Sequence, residues 1–302
     1  MSGIVVIGSL NMDLVVTTPK IPVMGETVLG SGFMTVPGGK GANQAVTAAK
    51  LGGKVSMVGC VGNDTFSGIL LNNLKKYSVD TSNVKIVDGV PTGVAMIVVN
   101  EGNNFIIVDP GANYQLTPQM IDSVGELIKK SYILAVQLEI PLDAVERAID
   151  IAKDNKVKVL LDPAPARKLE DSLLAKVDII TPNETECEII TGLPVKSTDD
   201  AKKAVEYLMG KGIPNVIVTM GGKGVVYNSG KEILHKTVPK VKVVDTTAAG
   251  DSFTGAVAVA LSQGKSIDEA VDLGNKVGTL TAMKKGAQTS LPTLEEVLNF
   301  NL

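Results

Sequence analysis

The feature that most constrains this chain is a recurrence: short apolar runs of strand length, separated by longer stretches with a helical period. Ile4 to Ile7, Val55 to Val58, Tyr132 to Val136, Val157 to Leu161, Val177 to Ile180 and Val216 to Thr219 are dominated by aliphatic residues, and amphipathic stretches such as Asp143 to Ala152 and Ala201 to Leu208 lie between such runs. A strand buried on both faces reads as a continuous apolar run, and a parallel neighbour requires a crossover long enough to hold a helix. The alternation therefore specifies right-handed βαβ units around a mostly parallel central sheet flanked by helices, a three-layer α/β arrangement. In such sheets ligands bind beyond the carboxyl ends of the strands, so polar and glycine-rich residues that follow a strand are where chemistry is expected.

Two segments break the alternation. Thr17 to Val36 carries two prolines, several glycines and β-branched residues without a helical period, and Val94 to Val108 reads as a hairpin turning at Asn100-Glu101-Gly102-Asn103-Asn104. Both are interposed in the α/β pattern. The expected organisation is a catalytic α/β domain of residues 1–12, 37–90 and 110–302, with residues 13–36 and 91–109 forming a small β-sheet lid over the strand ends. An ordinary pair of edge strands is the alternative.

Composition narrows the partners. With 302 residues, 44% hydrophobic and 20% charged, the chain can bury a large core. A net charge of -3 and a pI near 5.4 supply no basic field for a phosphate backbone, so no nucleic-acid partner is expected. No basic segment precedes Ile4 to Ile7 and no apolar run could span a bilayer, so the reading is a cytoplasmic protein with no membrane partner. Cys60 and Cys187 lie far apart without metal-ligand spacing and fit reduced structural thiols. His235 is the only histidine, which makes a histidine-based triad or a multi-histidine metal site hard to build. A general base should then be a carboxylate.

Neither common nucleotide fingerprint is present: Gly264-Lys265-Ser266 ends like a P-loop but has Val259 where the first glycine belongs, and no G-x-G-x-x-G follows the first strand. The strongest local signal is Val241-Lys242-Val243-Val244-Asp245-Thr246-Thr247-Ala248-Ala249-Gly250-Asp251 leading into the apolar stretch Ala256 to Leu261. It reads as a strand ending at Asp245, a tight turn of small residues, and a helix beginning near Gly250 whose free N–H groups make an anion cradle. Ala248, Ala249 and Gly250 let phosphate oxygens approach the backbone, and Asp251 in the first turn is placed to deprotonate a hydroxyl nucleophile. An aspartate that merely complements the helix dipole is the plain alternative.

Other strand ends carry complementary groups. Pro37-Gly38-Gly39-Lys40-Gly41-Ala42-Asn43-Gln44 offers close backbone approach, with Lys40 and Asn43 three apart, as a polyhydroxylated ligand requires. Asn11 and Asp13, two apart in Gly8-Ser9-Leu10-Asn11-Met12-Asp13, could read vicinal hydroxyls, or could be an Asx-capped turn. Glu139 in Gln137-Leu138-Glu139 could accept from a sugar hydroxyl. Asn183 and Glu186 in Thr181-Pro182-Asn183-Glu184-Thr185-Glu186 could face phosphate and a hydrated Mg²⁺, or could simply start a helix. Thr219-Met220-Gly221-Gly222-Lys223-Gly224 could line a nucleotide or be a hairpin turn.

Taken in order, and with Asp162-Pro163-Ala164-Pro165-Ala166 and Lys285-Gly286-Ala287-Gln288 added, these segments resemble the ribokinase family of carbohydrate kinases over essentially the whole chain. The resemblance implies a Rossmann-like, ribokinase-like fold and ATP-dependent phosphorylation of ribose at its 5-hydroxyl. It implies that Asn11, Asp13, Gly39, Lys40, Asn43 and Glu139 hold ribose, that Asp251 is the base, and that Asn183, Thr219, Gly221, Gly224, Gly250 and Asn275 contact ATP. It further implies an activating monovalent cation, usually potassium, held by Asp245, Thr247, Thr281, Lys284, Gly286 and Ser290, several through backbone carbonyls, and a homodimer formed through the lids. Other kinases of the same family, acting on a nucleoside or another sugar, are the nearest rivals. A nucleoside needs a stacking surface, and the chain has 3% aromatic residues and no tryptophan. A sugar phosphate needs more cations than Lys40. A non-catalytic sugar sensor would show a lost base or a broken cradle, and both are intact.

Overall fold

The computed structural model describes residues 3–100 and 103–300. Met1, Ser2 and the expected turn residues Glu101 and Gly102 lie outside the described residues. The strands are β1 (Gly3–Ile7), β2 (Asn11–Thr17), β3 (Ser31–Gly38), β4 (Lys54–Gly62), β5 (Asp80–Val87), β6 (Gly93–Asn100), β7 (Asn103–Asp109), β8 (Ile133–Val136), β9 (Lys158–Leu161), β10 (Ile179–Ile180), β11 (Asn215–Thr219), β12 (Val225–Ser229) and β13 (Glu232–Lys236). The helices are α1 (Lys40–Lys50), α2 (Thr65–Lys76), α3 (Pro118–Ser123), α4 (Gly125–Lys129), α5 (Leu142–Asp154), α6 (Asp171–Leu174), α7 (Glu184–Thr191), α8 (Thr198–Gly210), α9 (Ala249–Ser262), α10 (Ile267–Ala282) and α11 (Leu294–Asn299).

Nine strands form one sheet in the order β13-β12-β11-β10-β9-β8-β1-β4-β5, parallel except for β12 and β13. Alternate side chains of each strand enter opposite cores, as the pleat requires. Val5, Ile7, Leu134, Val136, Val159 and Leu161 pack with apolar residues of α3, α5 and α8, whereas Ile4, Val6, Ile133, Ala135 and Leu160 pack with α1, α9 and α10. This is the three-layer α/β fold expected from the sequence. The chain leaves β1 toward β4 on one side and later returns to β8 on the other, so the strand order reverses between β1 and β8, and the crevice beyond their carboxyl ends is the favoured ligand position.

The two irregular segments build a separate sheet of order β3-β2-β6-β7. β2 pairs with β6 in parallel, with Asn11 opposite Gly93 and Thr17 opposite Val99, and antiparallel hairpins complete each side. The sheet is therefore assembled from two excursions distant in sequence.

One expectation is corrected. Val241 to Asp245 is not a strand: residues 237–246 have no ladder partner, although the amides of Val244 and Asp245 donate to the Ala282 carbonyl. The β-branched run has a different cause. Val243 and Val244 line a cavity of about 240 Å³ shared with Met34, Val36, Ile97 and Val99 of the small sheet. No helix among the described residues is long and apolar enough to cross a membrane.

Candidate active site

Small residues bring the two functional helix starts together. From Asp251 to Leu261 every residue of α9 is buried. A side-chain carbon at Gly255 would stand 2.8 Å from the Gln44 carbonyl and 2.9 Å from the Thr47 Cβ, so only glycine lets α9 lie this close to α1. Lys40 and Asn43, in the first turn of α1, consequently face Asp251 in the first turn of α9. Asn43 Nδ2 donates to Asp251 Oδ2 at 2.7 Å, and Lys40 Nζ lies 3.8 Å from Asp251 Oδ1.

A cavity of about 380 Å³ opens at this junction. Its wall includes Asn11, Asp13, Gly39, Lys40, Asn43, Glu139, Ala248 and Asp251, so the sugar-binding candidates and the candidate base share one space. Spacing two on β2 places Asn11 and Asp13 on the same face. Gly39 has φ 90°, and a side chain there would strike the Asn11 amide nitrogen at 2.6 Å. Glu139 is anchored through Oε2, which accepts from Ser9 Oγ at 2.5 Å and from the Lys40 backbone N–H at 3.2 Å. Asn43 Oδ1 is buried without a donor, an acceptor that a ligand hydroxyl would satisfy.

The α9 start has the geometry of an anion cradle. Its N-cap residue, Ala248, has φ 61° and supplies no side-chain cap. The Ala249 N–H is taken by the Thr246 carbonyl at 3.1 Å, but those of Gly250 and Asp251 precede any i−4 carbonyl of their own helix. A side-chain carbon at Gly250 would meet nothing, so the space before these amides is open.

Charge is concentrated here. Burial, then the carboxylates of Glu139 and Asp251, push the Asp13 carboxyl up to about 7. Burial acts to lower the Lys40 ammonium, but Asp251, Asp162, Glu139 and Glu186 outweigh it and hold the ammonium above its usual range. Asp162 is raised by burial against the pull of Lys40, and its Oδ2 accepts from Gln44 Nε2 at 2.7 Å. Gln44 Oε1 in turn accepts from Gln137 Nε2 at 2.6 Å, so Asp162, Gln44 and Gln137 form a buried polar wall behind Lys40 and Asn43.

The nucleotide candidates are arranged differently. Asn183 and Glu186 make the capping box of α7: Glu186 N–H donates to Asn183 Oδ1, and Glu186 accepts from the Asn183 N–H and Nδ2. Thr219 bridges to Asn183 in parallel. Gly221, Gly222 and Lys223 form a 3-10 turn joining antiparallel β11 and β12. Gly224 has a packing reason to be glycine, since a side chain would overlap the Lys236 carbonyl at 2.0 Å. Asn275 is buried on α10. None of these residues lines the 380 Å³ cavity.

Of the cation candidates, Thr247 and Gly286 are bound to the Asp245 carboxylate. Asp245 Oδ1 accepts from the Thr247 N–H and Oγ1, and Oδ2 accepts from the Gly286 N–H at 2.9 Å. Burial acts to raise this carboxyl, and the bonds from Thr247 and Gly286 win, holding it below the usual range. Thr281 Oγ1 bonds Ser252 Oγ, Ser290 Oγ donates to the Ala287 carbonyl, and the Lys284 ammonium turns outward to Glu296, leaving main-chain oxygens as what the last three residues could offer. Sequence reasoning missed Ser9, Gln44, Gln137, Asp162 and Asn113 as side chains that orient the site, and Ala95, Ile97, Ile106 and Val108 of the small sheet as part of the cavity wall.

A three-layer α/β fold with a small sheet walling a cavity, and with a carboxylate beside free helix-start amides, fits a small-molecule kinase. The chain belongs to the pfkB family of carbohydrate kinases, whose sequence pattern matches residues 1–294. It is 44% identical over 297 residues to the ribokinase of Haemophilus influenzae, covering 98% of this chain and 97% of that one. It is 40% identical over 295 residues to the deoxyribokinase of Salmonella typhimurium, covering 97% and 96%. Among solved structures, Arabidopsis thaliana ribokinase complexed with ribose and ATP superposes with a TM-score of 0.92 at 34% identity, covering 99% of each chain.

Proposed function

We propose that this carbohydrate kinase transfers the γ-phosphoryl group of ATP to the 5-hydroxyl of D-ribose, giving ribose 5-phosphate and ADP. The observation that carries the reading is the single cavity in which the Asp251 carboxylate stands beside open helix-start amides and next to Asn11, Asp13, Lys40, Asn43 and Glu139. Relatives named ribokinase, and a similar structure holding ribose and ATP, support it. Asp251 takes the hydroxyl proton as the oxygen attacks the γ-phosphorus, the bond to the β-phosphate oxygen breaks, and ADP leaves in line. The N–H groups of Gly250 and Asp251, with the small residues Ala248 and Ala249 giving access, receive the charge on the moving group. The carboxylates and Asn43 Oδ1 accept from sugar hydroxyls, while Lys40 donates.

ATP is assigned to Asn183, Glu186, Thr219, Gly221, Gly222, Gly224, Gly250 and Asn275. Mg²⁺ would be held through the phosphates and water, with the Glu186 carboxylate as a partner for that water, and supplies charge neutralisation when bound. A monovalent cation, K⁺, fits the oxygen-only donors of Asp245, Thr247, Thr281, Lys284, Gly286 and Ser290. We assign residues 13–36 and 91–109 as a lid on the domain of residues 1–12, 37–90 and 110–302. The lid face opposite the cavity bears Phe33, Met96, Phe105 and Ile107, 68%, 45%, 55% and 65% exposed, and a second copy of the chain is its expected cover. The expected location is the cytoplasm, where ATP is available.

The test is ADP formation with Mg²⁺ and K⁺, each also omitted, over ribose, 2-deoxyribose, fructose, fructose phosphates and nucleosides. Ribose should give the highest kcat/KM. Asp251→Asn should retain the melting transition and sugar binding but lose roughly 10²- to 10⁴-fold in kcat. Near-normal turnover of that variant removes Asp251 as the base, and silence with every sugar removes the proposed substrate.

A further inference from the structure

Asn113, just beyond the lid in the 3-10 turn Gly111–Gln115, is 1% exposed and lies outside the cavity wall. Its side-chain amide is fixed by the main chain of Leu10: Oδ1 accepts from the Leu10 N–H at 2.9 Å, and Nδ2 donates to the Leu10 carbonyl at 3.2 Å. A backbone N–H can only donate and a carbonyl can only accept, so this amide has one possible orientation. The same Nδ2 donates to Asn11 Oδ1 at 2.7 Å. Asn11 must therefore present its oxygen to Asn113 and its Nδ2 to the cavity, where it has no acceptor among the described residues.

We propose that Asn113 is a positioning residue that sets the polarity of Asn11, making Asn11 a hydrogen-bond donor to a sugar hydroxyl oxygen. Asn43 is set the opposite way, since its Nδ2 is committed to Asp251 and its Oδ1 is unpartnered. The two asparagines thus read opposite ends of O–H groups, and the neighbouring acceptors Asp13 and Glu139 take the protons. The lid is built around this bond. A side-chain carbon at Gly93, where the lid hairpin begins, would lie 2.3 Å from Asn113 Nδ2 and 2.4 Å from Asn11 Oδ1. Where the hairpin ends, the Ala112 N–H donates to the Pro91 carbonyl at 2.8 Å, so both hairpin ends close on the Asn11–Asn113 pair.

The inference rests on the sugar-kinase reading of this cavity, and its test uses whichever sugar of the panel the wild type phosphorylates, so a wrong substrate assignment is seen separately. Asn113→Asp can still accept from the Leu10 N–H but cannot donate to Asn11, and should let the Asn11 amide turn its oxygen to the cavity. Asn11→Asp keeps the bond accepted from Asn113 but replaces the cavity-facing donor by an acceptor. Both should raise the sugar Kd and KM roughly 10- to 100-fold and leave the KM for ATP unchanged. The discrimination against 2-deoxy or 3-deoxy analogues should also shrink, because the hydroxyl being read no longer has its donor. Asn113→Asp with a lowered melting temperature but wild-type sugar KM and analogue discrimination would make Asn113 mere scaffold and overturn the proposal. Should that variant not fold, Asn11→Asp decides alone: unchanged or tighter sugar binding means that Asn11 meets the sugar as an acceptor and the proposal is wrong.

Discussion

Asp13→Asn should stabilise the ligand-free protein against heat while removing its hold on the sugar. Asp13 is 7% exposed, and its carboxyl is displaced from 3.8 to about 7 by burial and by the carboxylates of Glu139 and Asp251. The sign follows from linkage: between these two values the folded chain holds a proton that the unfolded chain has released, so stability falls as pH rises from about 4 to 7 and is level above that. At about 1.4 kcal/mol per pH unit, the full penalty is about 4 kcal/mol at pH 8 and about 2 kcal/mol at pH 5. Asparagine carries no such penalty at either pH. The advantage of the variant should therefore grow by roughly 2–3 kcal/mol between pH 5 and pH 8, with titrating groups remote from Asp13 cancelling because both proteins carry them. For 302 residues, an unfolding entropy of about 2.1 cal/mol/K per residue turns this into about 4 °C. The assay is a thermal melt of both proteins at the two pH values, without and with sugar. A melting difference that does not change with pH would refute the reasoning, and so would a variant that sugar still stabilises as strongly as it does the wild type.

In the wild type, kcat/KM for the sugar should rise with pH up to about 7 as Asp13 ionises in the free enzyme, and this limb should be absent from Asp13→Asn; a pH–rate profile of each checks it. Gly255→Ala should cost about 1–3 kcal/mol by forcing α9 away from the Gln44 carbonyl, and should lower kcat more than the sugar KM because the Asn43–Asp251 contact opens; melting and steady-state kinetics report the two effects. Phe105→Glu with Ile107→Lys should convert the expected dimer to monomer without unfolding it, as sedimentation at several concentrations would show.

Much of the candidate site was legible because polar groups in this fold gather at strand ends. Asn11, Asp13, Lys40, Asn43, Glu139 and Asp251 each lie in a short segment just beyond an apolar run or at a helix start, where a polar residue has few structural reasons to be. The small sheet was visible as a loss of helical period. What escaped has a common cause, namely that its meaning lies in contacts far away along the chain. Asn113 looks like any turn asparagine until Leu10 and Asn11, more than 100 residues earlier, are placed against it. Ile97 and Val108 read as ordinary strand residues, and nothing local says that they line the cavity. Val241 to Val244 misled for the same reason. Val243 and Val244 line a cavity under the small sheet, and periodicity cannot distinguish this from a ladder. The elevated Asp13 carboxyl depends on Glu139 and Asp251, which reach it from two other elements.

The parallel ladder between β2 and β6 also bears on protein engineering. Each excursion brings only a hairpin, and an isolated two-stranded ribbon is marginal in water and leaves an edge open to aggregation. A graft of the candidate sugar-binding surface onto another α/β scaffold would therefore fail if either piece were transplanted alone. Both must travel together, with the glycine-lined seams at Gly38, Gly39 and Gly93 that join them to the host.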